Sequence, residues 1–489
     1  MKLLNDILNG IVIREIKGPV NIRIRGITFD SRKTGTDMLF VALKGLQTDG
    51  HNYIEQAVAG GATAVICQQP PAGIPAGVTF IMTDDTAKAL GAAARNFYDD
   101  PSAKLNLVGV TGTNGKTTIA TLLYELLIKL GFRSGLISTV GIRINGETRP
   151  ATHTTPDSLS LHSLIREMAD QGCKYCFMEV SSHAIHQQRI AGLTFTGALF
   201  TNITRDHLDY HHSFQEYVRA KKKFFDLMPS EGFAVVNNDD RNGKVMIQNC
   251  EAQIRTYALK SIADYTGRIL EQHRDGTLIS MENKTLWTHM VGEFNVYNLL
   301  CVYACALMLG LSRDRVMEVL SELRPVKGRM ESITTDKGIT AVIDYAHTPD
   351  ALSKVLETLQ VVKDKKAGLL TVVGAGGNRD KGKRPLMAKI ACNYSDKVIL
   401  TSDNPRNEKP EDIINDMLEG ADEHMTKKIL TVINREEAIK TALFMARAGD
   451  VVLIAGKGHE NYQEIAGVRY HFDDREIIEK ITGGGKPDN

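Results

Sequence analysis

The sequence predicts an α/β protein of three domains: a central, phosphate-loop-type, mostly parallel sheet with flanking helices, an N-terminal α/β domain, and a C-terminal Rossmann-like α/β domain. Three observations carry this. The 489 residues exceed what one hydrophobic core supports, at roughly 150 residues per domain. Strand and helix signals alternate along most of the chain. Breaks of glycine, proline and polar residues interrupt them near Asp99, Asp100 and Pro101, and again at Arg324, Pro325, Lys327 and Gly328. The expected boundaries are therefore 1–103, 104–330 and 331–489.

The first domain reads as short strands and helices. The second opens on LNLVGVTGTNGKTT, an apolar strand running into a glycine turn. A helical pattern follows at Ile119, Leu122, Leu123, Leu126, Leu127 and Leu130, stopped by Gly131. The third contains the strands ITAVIDYA, GLLTVVGA, KVILTSD and DVVLIAG, each leading into a polar loop. Ligands of open parallel sheets bind beyond the carboxyl ends of the strands, so chemistry is expected in those loops.

Composition narrows the function. Hydrophobic residues make up 43% and charged residues 24%, and 59 basic against 58 acidic side chains leave a net charge of +1. That balance removes any bulk electrostatic case for nucleic acid or an acidic membrane surface, so an anion site must be local. Seven cysteines, an odd number scattered through the chain, suit a reducing compartment better than a disulfide framework. Cys173 and Cys176 form a lone CxxC, too little for a tetrahedral zinc site. The start MKLLNDILNG lacks the apolar core of a signal peptide, and no run reaches the ~18 apolar residues of a membrane span. A cytoplasmic location is expected, with no membrane insertion, and the GGGKPDN tail is expected to be disordered.

The phosphate loop is Gly112, Thr113, Asn114, Gly115, Lys116, Thr117 and Thr118. Its glycines let backbone N–H groups face phosphate oxygens, Lys116 neutralises β/γ charge, and Thr117 can hold Mg²⁺. A strict Walker A motif requires glycine where Val110 stands, which marks a shorter variant of the loop. Glu179 ends the apolar strand of FMEVSSHAIHQQRI, where a carboxylate can face the loop and a metal, although a strand-end glutamate by itself is more often a solvated terminus. TNITRDHLDYHH supplies His207, Asp209, His211 and His212, with neither HExxH nor a cysteine to favour zinc.

Ser213 and Glu216 then form a capping box that starts a helix. Its apolar stripe, Phe214, Tyr217, Val218, Phe224, Phe225 and Met228, leaves one inward position, filled by Lys221. Such a lysine either snorkels past its neighbours or must find an anion, lose its proton or be modified.

In order, TGTNGKTT, EVSSHA, TNITRDHLDYH, AKKKFF, GEFNVYN, GRME, DYAHTPDAL, GAGGNRDKGKR, SDNPRNE and GKGHE resemble the motif series of the Mur ligases over almost the whole chain. An N-terminal DSR segment, Asp30, Ser31 and Arg32, resembles that of the diaminopimelate-adding members. The resemblance implies an ATP-dependent, amide-forming ligase of cytoplasmic peptidoglycan precursor synthesis. Its small-molecule substrates would be UDP-N-acetylmuramoyl-L-alanyl-D-glutamate and meso-2,6-diaminopimelate, joined through an acyl phosphate by a monomer.

It further implies Mg²⁺ sites at Thr117, Glu179 and His207, with Lys221 carbamylated and presenting the carbamate to a second Mg²⁺, and Lys116, Lys221 and His207 as catalytic groups. Asn295 would meet adenine, Arg329 the phosphates and Asp344 the ribose. The UDP-linked acceptor would meet Ser31, Thr154, Thr155, Ser181, Gln187 and Arg189. The amino acid would meet Arg379, Asp403, Asn404, Pro405, Arg406, Gly456 and Glu460. Diaminopimelate differs from lysine by a distal carboxylate, which the Arg406 guanidinium can engage as a fork. Rival readings are the lysine-adding ligase, a folylpolyglutamate synthetase, a regulatory ATPase without ligase chemistry, and a dinucleotide oxidoreductase. The last is disfavoured because GAGGNR carries Arg379 where GxGxxG needs glycine.

Overall fold

Apolar runs too long to be half-solvated become strands buried on both faces, and they assemble into three main sheets. The computed structural model describes residues 1–45, 48–73, 77–151 and 153–482. The expected disorder of the tail concerns 483–489, outside the described residues.

The N-terminal sheet has five strands in the order Glu15–Lys17, Thr79–Met82, Ala62–Cys67, Met38–Val41, Gly26–Thr28. All neighbours are parallel except the first pair. Helix Thr86–Phe97 docks this layer onto the middle of the chain. Contact there is backbone on backbone: a Cβ at Gly91 would lie 2.4 Å from the Ala191 carbonyl oxygen, so any side chain would force the two segments apart.

His162, on helix Ser158–Asp170, is fully buried. Its Nε2 lies 3.2 Å from the Ala191 carbonyl, while Nδ1 has no partner. An imidazolium would bury a second N–H without an acceptor, and burial lowers the group from 6.5 to about 4. As pH falls, the unfolded chain takes up this proton first. The group's contribution to stability is therefore complete above about pH 6.5 and is lost as pH falls towards 4. Relative to a His162→Gln variant, wild type is expected to lose on the order of 3 kcal/mol between pH 7 and 4 in urea titrations. A stability gap independent of pH would contradict this.

The central sheet has eleven strands. Its core order is Ser134–Ser138, Tyr175–Glu179, Asn106–Thr111, Gly197–Phe200, Phe233–Asn237, Gln253–Ala258, all parallel. At one end Gly141–Ile144 and Glu147–Arg149 add in antiparallel fashion; at the other Tyr265–Gln272 joins Gln253–Ala258 in parallel and then pairs antiparallel with Thr277–Met281, which pairs antiparallel with Lys284–Thr288. Asn106–Thr111 lies where the strand order reverses, so the loop after it opens into the crevice between diverging connections. One face is covered by helices Lys116–Lys129 and Glu293–Met308, the second buried around almost its whole circumference. Helices Ser158–Asp170 and Phe214–Asp226 cover the other.

The C-terminal sheet runs Glu331–Thr334, Thr340–Asp344, Val451–Ala455, Leu369–Ala375, Lys397–Ser402, Ile429–Thr431. Five of its six strands are parallel, and the four strands expected from sequence lie side by side. The last of them in the chain, Val451–Ala455, inserts between the first two and brings the loops after Asp344, Ala375, Ser402 and Ala455 to one edge. All seven cysteines are free thiols and six are buried.

Candidate active site

The strand-to-helix turn of the central domain is tied down from its neighbours. Gly112 has φ 149°, and a Cβ on it would sit 1.9 Å from Thr201 Oγ1, so only glycine fits. The Thr113 N–H donates to the Asn202 carbonyl at 2.8 Å and the Asn114 N–H to Asn202 Oδ1 at 3.1 Å. Thr201 Oγ1 donates to the Asn114 carbonyl at 2.6 Å. Lys116 curls back, its Nζ donating to the carbonyls of Gly112 and Thr113 at 2.9 and 2.7 Å. Thr117 and Thr118 are buried in the first helical turn.

Glu179 is buried at the end of its strand, and its Oε1 accepts from Thr117 Oγ1 (2.9 Å), the Thr139 N–H (2.8 Å) and Thr139 Oγ1 (3.0 Å). The solvated-terminus alternative is thereby removed. Thr117 Oγ1 also accepts from Arg329 Nη2 at 3.1 Å, and the Arg329 guanidinium lies 4.4 Å over the Tyr345 ring. A hydroxyl and a carboxylate are the hard oxygen donors that Mg²⁺ prefers, with waters and phosphate oxygens completing its octahedron. Among the described residues no group of three or more His, Cys, Asp or Glu converges on a metal position.

Lys221 is 1% exposed, whereas Lys222 pairs with Asp226 and Lys223 is exposed. Ser213 Oγ caps the helix by accepting from the Glu216 N–H. The Lys221 Nζ donates to the Gly112 carbonyl at 2.7 Å and stands 4.7 Å from the Tyr217 ring. Burial pushes its pKa well down, the Lys116 charge adds to this, and Asp206 opposes it. A neutral amine is the form that reacts with CO₂. As an amine Lys221 is a poor partner for a hard cation; as a carbamate it is an oxygen ligand.

His207 is held in left-handed backbone, φ 54°, with Nε2 at 3.3 Å from Asp206 Oδ2. Burial lowers His207, against the pull of Asp206. Burial alone would raise Asp206, yet His207, His347, Lys383 and Lys116 together keep it below the usual carboxylate range.

These groups line one cleft of about 760 Å³ between the central and C-terminal domains. Asn295 and Asp344 lie in its walls. Asn295 Nδ2 donates to the Val291 carbonyl, and Asp344 accepts the N–H groups of Met330 and Ala346. Asn114 Nδ2 donates to Asp350 Oδ2 across the domains at 3.1 Å.

A second network adjoins Glu179. Thr154 Oγ1 donates to Thr139 Oγ1 (3.1 Å), whose own proton goes to Glu179, Thr155 Oγ1 donates to the Glu179 carbonyl (2.8 Å), and the Ser181 N–H to Thr155 Oγ1 (3.2 Å). Arg189 grips both the Thr155 carbonyl and Gln187 Oε1 at 2.8 Å. Five of the six residues expected at the acceptor thus meet. Ser31 lies apart on the N-terminal domain, its Oγ donating to Gln56 Oε1 at 2.9 Å.

The third cluster is C-terminal. Asn404 Nδ2 donates to Glu460 Oε2 at 2.9 Å, and a Cβ on Gly456 would lie 2.6 Å from Asp403 Oδ2. Pro405 presses its carbonyl against Gly377, where a Cβ would come within 1.9 Å. Arg406, with φ 52°, spends Nη1 on the Gly377 carbonyl at 2.8 Å and keeps Nε 3.6 Å from Glu464. Arg379 is exposed at the rim. Beneath, the fully buried Arg384 joins Glu408 and Asp416, and Glu408 accepts the Asn378 N–H, so the two loops are clamped together.

Sequence reasoning passed over Thr139, Asp206, Asp350, Lys383, Arg384 and Lys457. Asp206 sits beside His207 in the quoted motif, and Lys383 and Arg384 in GAGGNRDKGKR, so adjacency was the usable signal. Thr139 carried none.

Three family models match the chain: the Mur ligase family catalytic domain at residues 23–98, the Mur ligase middle domain at 110–306 and the Mur ligase glutamate ligase domain at 328–458. The chain belongs to the Mur ligase family. Within it, the chain is 54% identical over 478 residues to the UDP-N-acetylmuramoyl-L-alanyl-D-glutamate--2,6-diaminopimelate ligase of Bacteroides fragilis, covering 98% of this chain and 99% of that one. The enzyme of the same name from Clostridioides difficile is 42% identical over 481 residues, covering 97% and 98%. A solved structure of a ligase of that name superposes with a TM-score of 0.71 at 35% identity, covering 99% of each chain. The MurF ligase from Thermotoga maritima in complex with ADP shares the fold, with a TM-score of 0.65 at 19% identity over 94% and 97%.

Proposed function

We propose that the chain is an ATP-dependent ligase that joins meso-2,6-diaminopimelate to the D-glutamyl γ-carboxylate of UDP-N-acetylmuramoyl-L-alanyl-D-glutamate in peptidoglycan precursor synthesis, acting as a cytoplasmic monomer. The observation that carries this is the continuity from Thr117 through Glu179 and Thr139 to Thr154, Thr155 and Ser181. It supports a reading in which the nucleotide end and the acceptor end share one cleft. Among the described residues no helix is long and apolar enough to cross a membrane.

In this reading residues 1–103 and Ser31 take the UDP end of the acceptor, 104–330 the nucleotide and 331–489 the amino acid. Asn295 contacts adenine and Asp344 the ribose. The loop N–H groups of 112–118, Lys116 and Arg329 hold the phosphates. Thr154, Thr155, Ser181, Gln187 and Arg189 orient the acceptor so that its γ-carboxylate oxygen attacks the γ-phosphorus in line. The bond to ADP breaks and an acyl phosphate forms. Arg379, Asp403, Asn404, Pro405, Arg406, Gly456 and Glu460 hold diaminopimelate. Its amine, after losing a proton, adds to the acyl carbon and phosphate departs. Mg²⁺ held by Thr117 and Glu179, and by His207 with carbamylated Lys221, would neutralise phosphate charge.

ADP release with the UDP-muramoyl dipeptide, comparing meso-diaminopimelate with L-lysine, tests the reading. Turnover is expected to require both acceptor and amino acid and to favour diaminopimelate. Preference for lysine would overturn the amino-acid assignment, and ADP release independent of both would favour a regulatory ATPase.

A further inference from the structure

Lys457, the lysine of the GKGHE segment, has no part in the reading above. It lies two residues beyond strand Val451–Ala455, and its side chain is 0% exposed. An ammonium removed from water must be paired and hydrogen-bonded to remain charged. Nζ donates to Asn404 Oδ1 at 2.9 Å and to the Tyr462 carbonyl at 2.6 Å, with Asp403 Oδ1 at 3.7 Å and Glu460 Oε2 at 3.5 Å.

One buried cation therefore touches three of the side chains assigned to the amino acid, together with the first residue of the hairpin Tyr462–Ile465 and Val468–His471. That hairpin in turn holds Arg406. The Glu464 N–H donates to Asn404 Oδ1 at 3.0 Å, the Arg406 N–H donates to the Glu464 carbonyl at 3.0 Å, and Arg406 bridges to Ile465. None of Lys457's partners belongs to the phosphate loop or to the network around Thr155.

The charges are also uneven. Asp403 is buried and Glu460 half-buried, and the two carboxylates share Lys457. Burial and the neighbouring Asp403 push Glu460 up, against the pull of Lys457. Burial would raise Asp403 too, but Lys457 and then Arg435 hold it below its ordinary value. Arg435 is itself paired with Asp474, and Arg406 acts on both carboxylates only through space, so the ammonium group of an amino acid would add a second cation in direct contact with them.

We propose that Lys457 is a positioning residue for the amino acid: its ammonium locks Asp403, Asn404 and Glu460 into one acceptor surface for a substrate ammonium and, through Tyr462, sets the hairpin that holds Arg406. This rests on the assignment of the cluster to the incoming amino acid.

Steady-state kinetics of full-length Lys457→Met, varying ATP, the UDP-muramoyl dipeptide and meso-diaminopimelate in turn, test it. The KM for diaminopimelate is expected to rise about tenfold or more while the other two stay within about twofold. Lys457→Arg, which keeps the charge, is expected to recover part of the loss. An unchanged KM for diaminopimelate, or an equal rise in all three, would overturn the proposal. Should Lys457→Met fail to fold, Lys457→Arg is judged by the same criterion, a selective but smaller rise. Wild-type turnover, measured alongside, tests the ligase assignment separately from the ratio of KM values.

Discussion

Lys221→Ala is expected to lose on the order of 10³-fold in kcat, with part of the activity restored by millimolar acetate or propionate. The side chain reaches through apolar packing to the underside of the phosphate loop, where its Nζ meets the Gly112 carbonyl at 2.7 Å. Burial and the charge of Lys116 favour the neutral amine. That nitrogen can add to the carbon of CO₂, releasing a proton to solvent and leaving a carbamate anion. An anion here would face Lys116, His207 and the proposed metal, so its removal should slow phosphoryl transfer more than it weakens binding. A small carboxylic acid diffusing into the space left by the side chain would replace the lost carboxylate. Full activity in the plain alanine variant would remove the carbamate from the mechanism.

For Arg406→Ala, kcat/KM for meso-diaminopimelate is expected to fall by about a hundredfold to a thousandfold, while that for L-lysine is expected to change by about threefold or less. The left-handed backbone and the Gly377 bond fix the start of the guanidinium fork, so the remaining donors can meet a planar carboxylate without further ordering. Lysine lacks that carboxylate and loses little. Equal losses for both amino acids would mean that Arg406 shapes the loop rather than reading the substrate.

Much of this could be read from the chain alone, because it was local. The turn from Asn106–Thr111 into Lys116–Lys129 is set by glycines and one periodic helix. The inward Lys221 follows from the spacing of its own helix, and the four C-terminal strands announce themselves as apolar runs. What escaped depends on pairing between distant segments. Nothing near residue 455 says that Val451–Ala455 inserts between Thr340–Asp344 and Leu369–Ala375, yet that insertion gathers Asp403, Gly456 and Glu460. Thr139 matters only because a parallel strand presents Glu179 to it. The antiparallel strands from Tyr265 to Thr288 lack the two-sided burial that made the central strands legible.

The buried thiols give the molecule a built-in clock for its own opening. Cys67 lies in the N-terminal sheet, Cys173, Cys176, Cys301 and Cys305 in the middle domain, and Cys392 under the C-terminal sheet. Burial holds Cys67 and Cys173 up at about 11, far from the reactive thiolate. An alkylating reagent can reach each only after its own layer has parted. The order in which tagged peptides accumulate would therefore rank the three layers by the free energy of separating them, and a bound nucleotide should delay the middle set most.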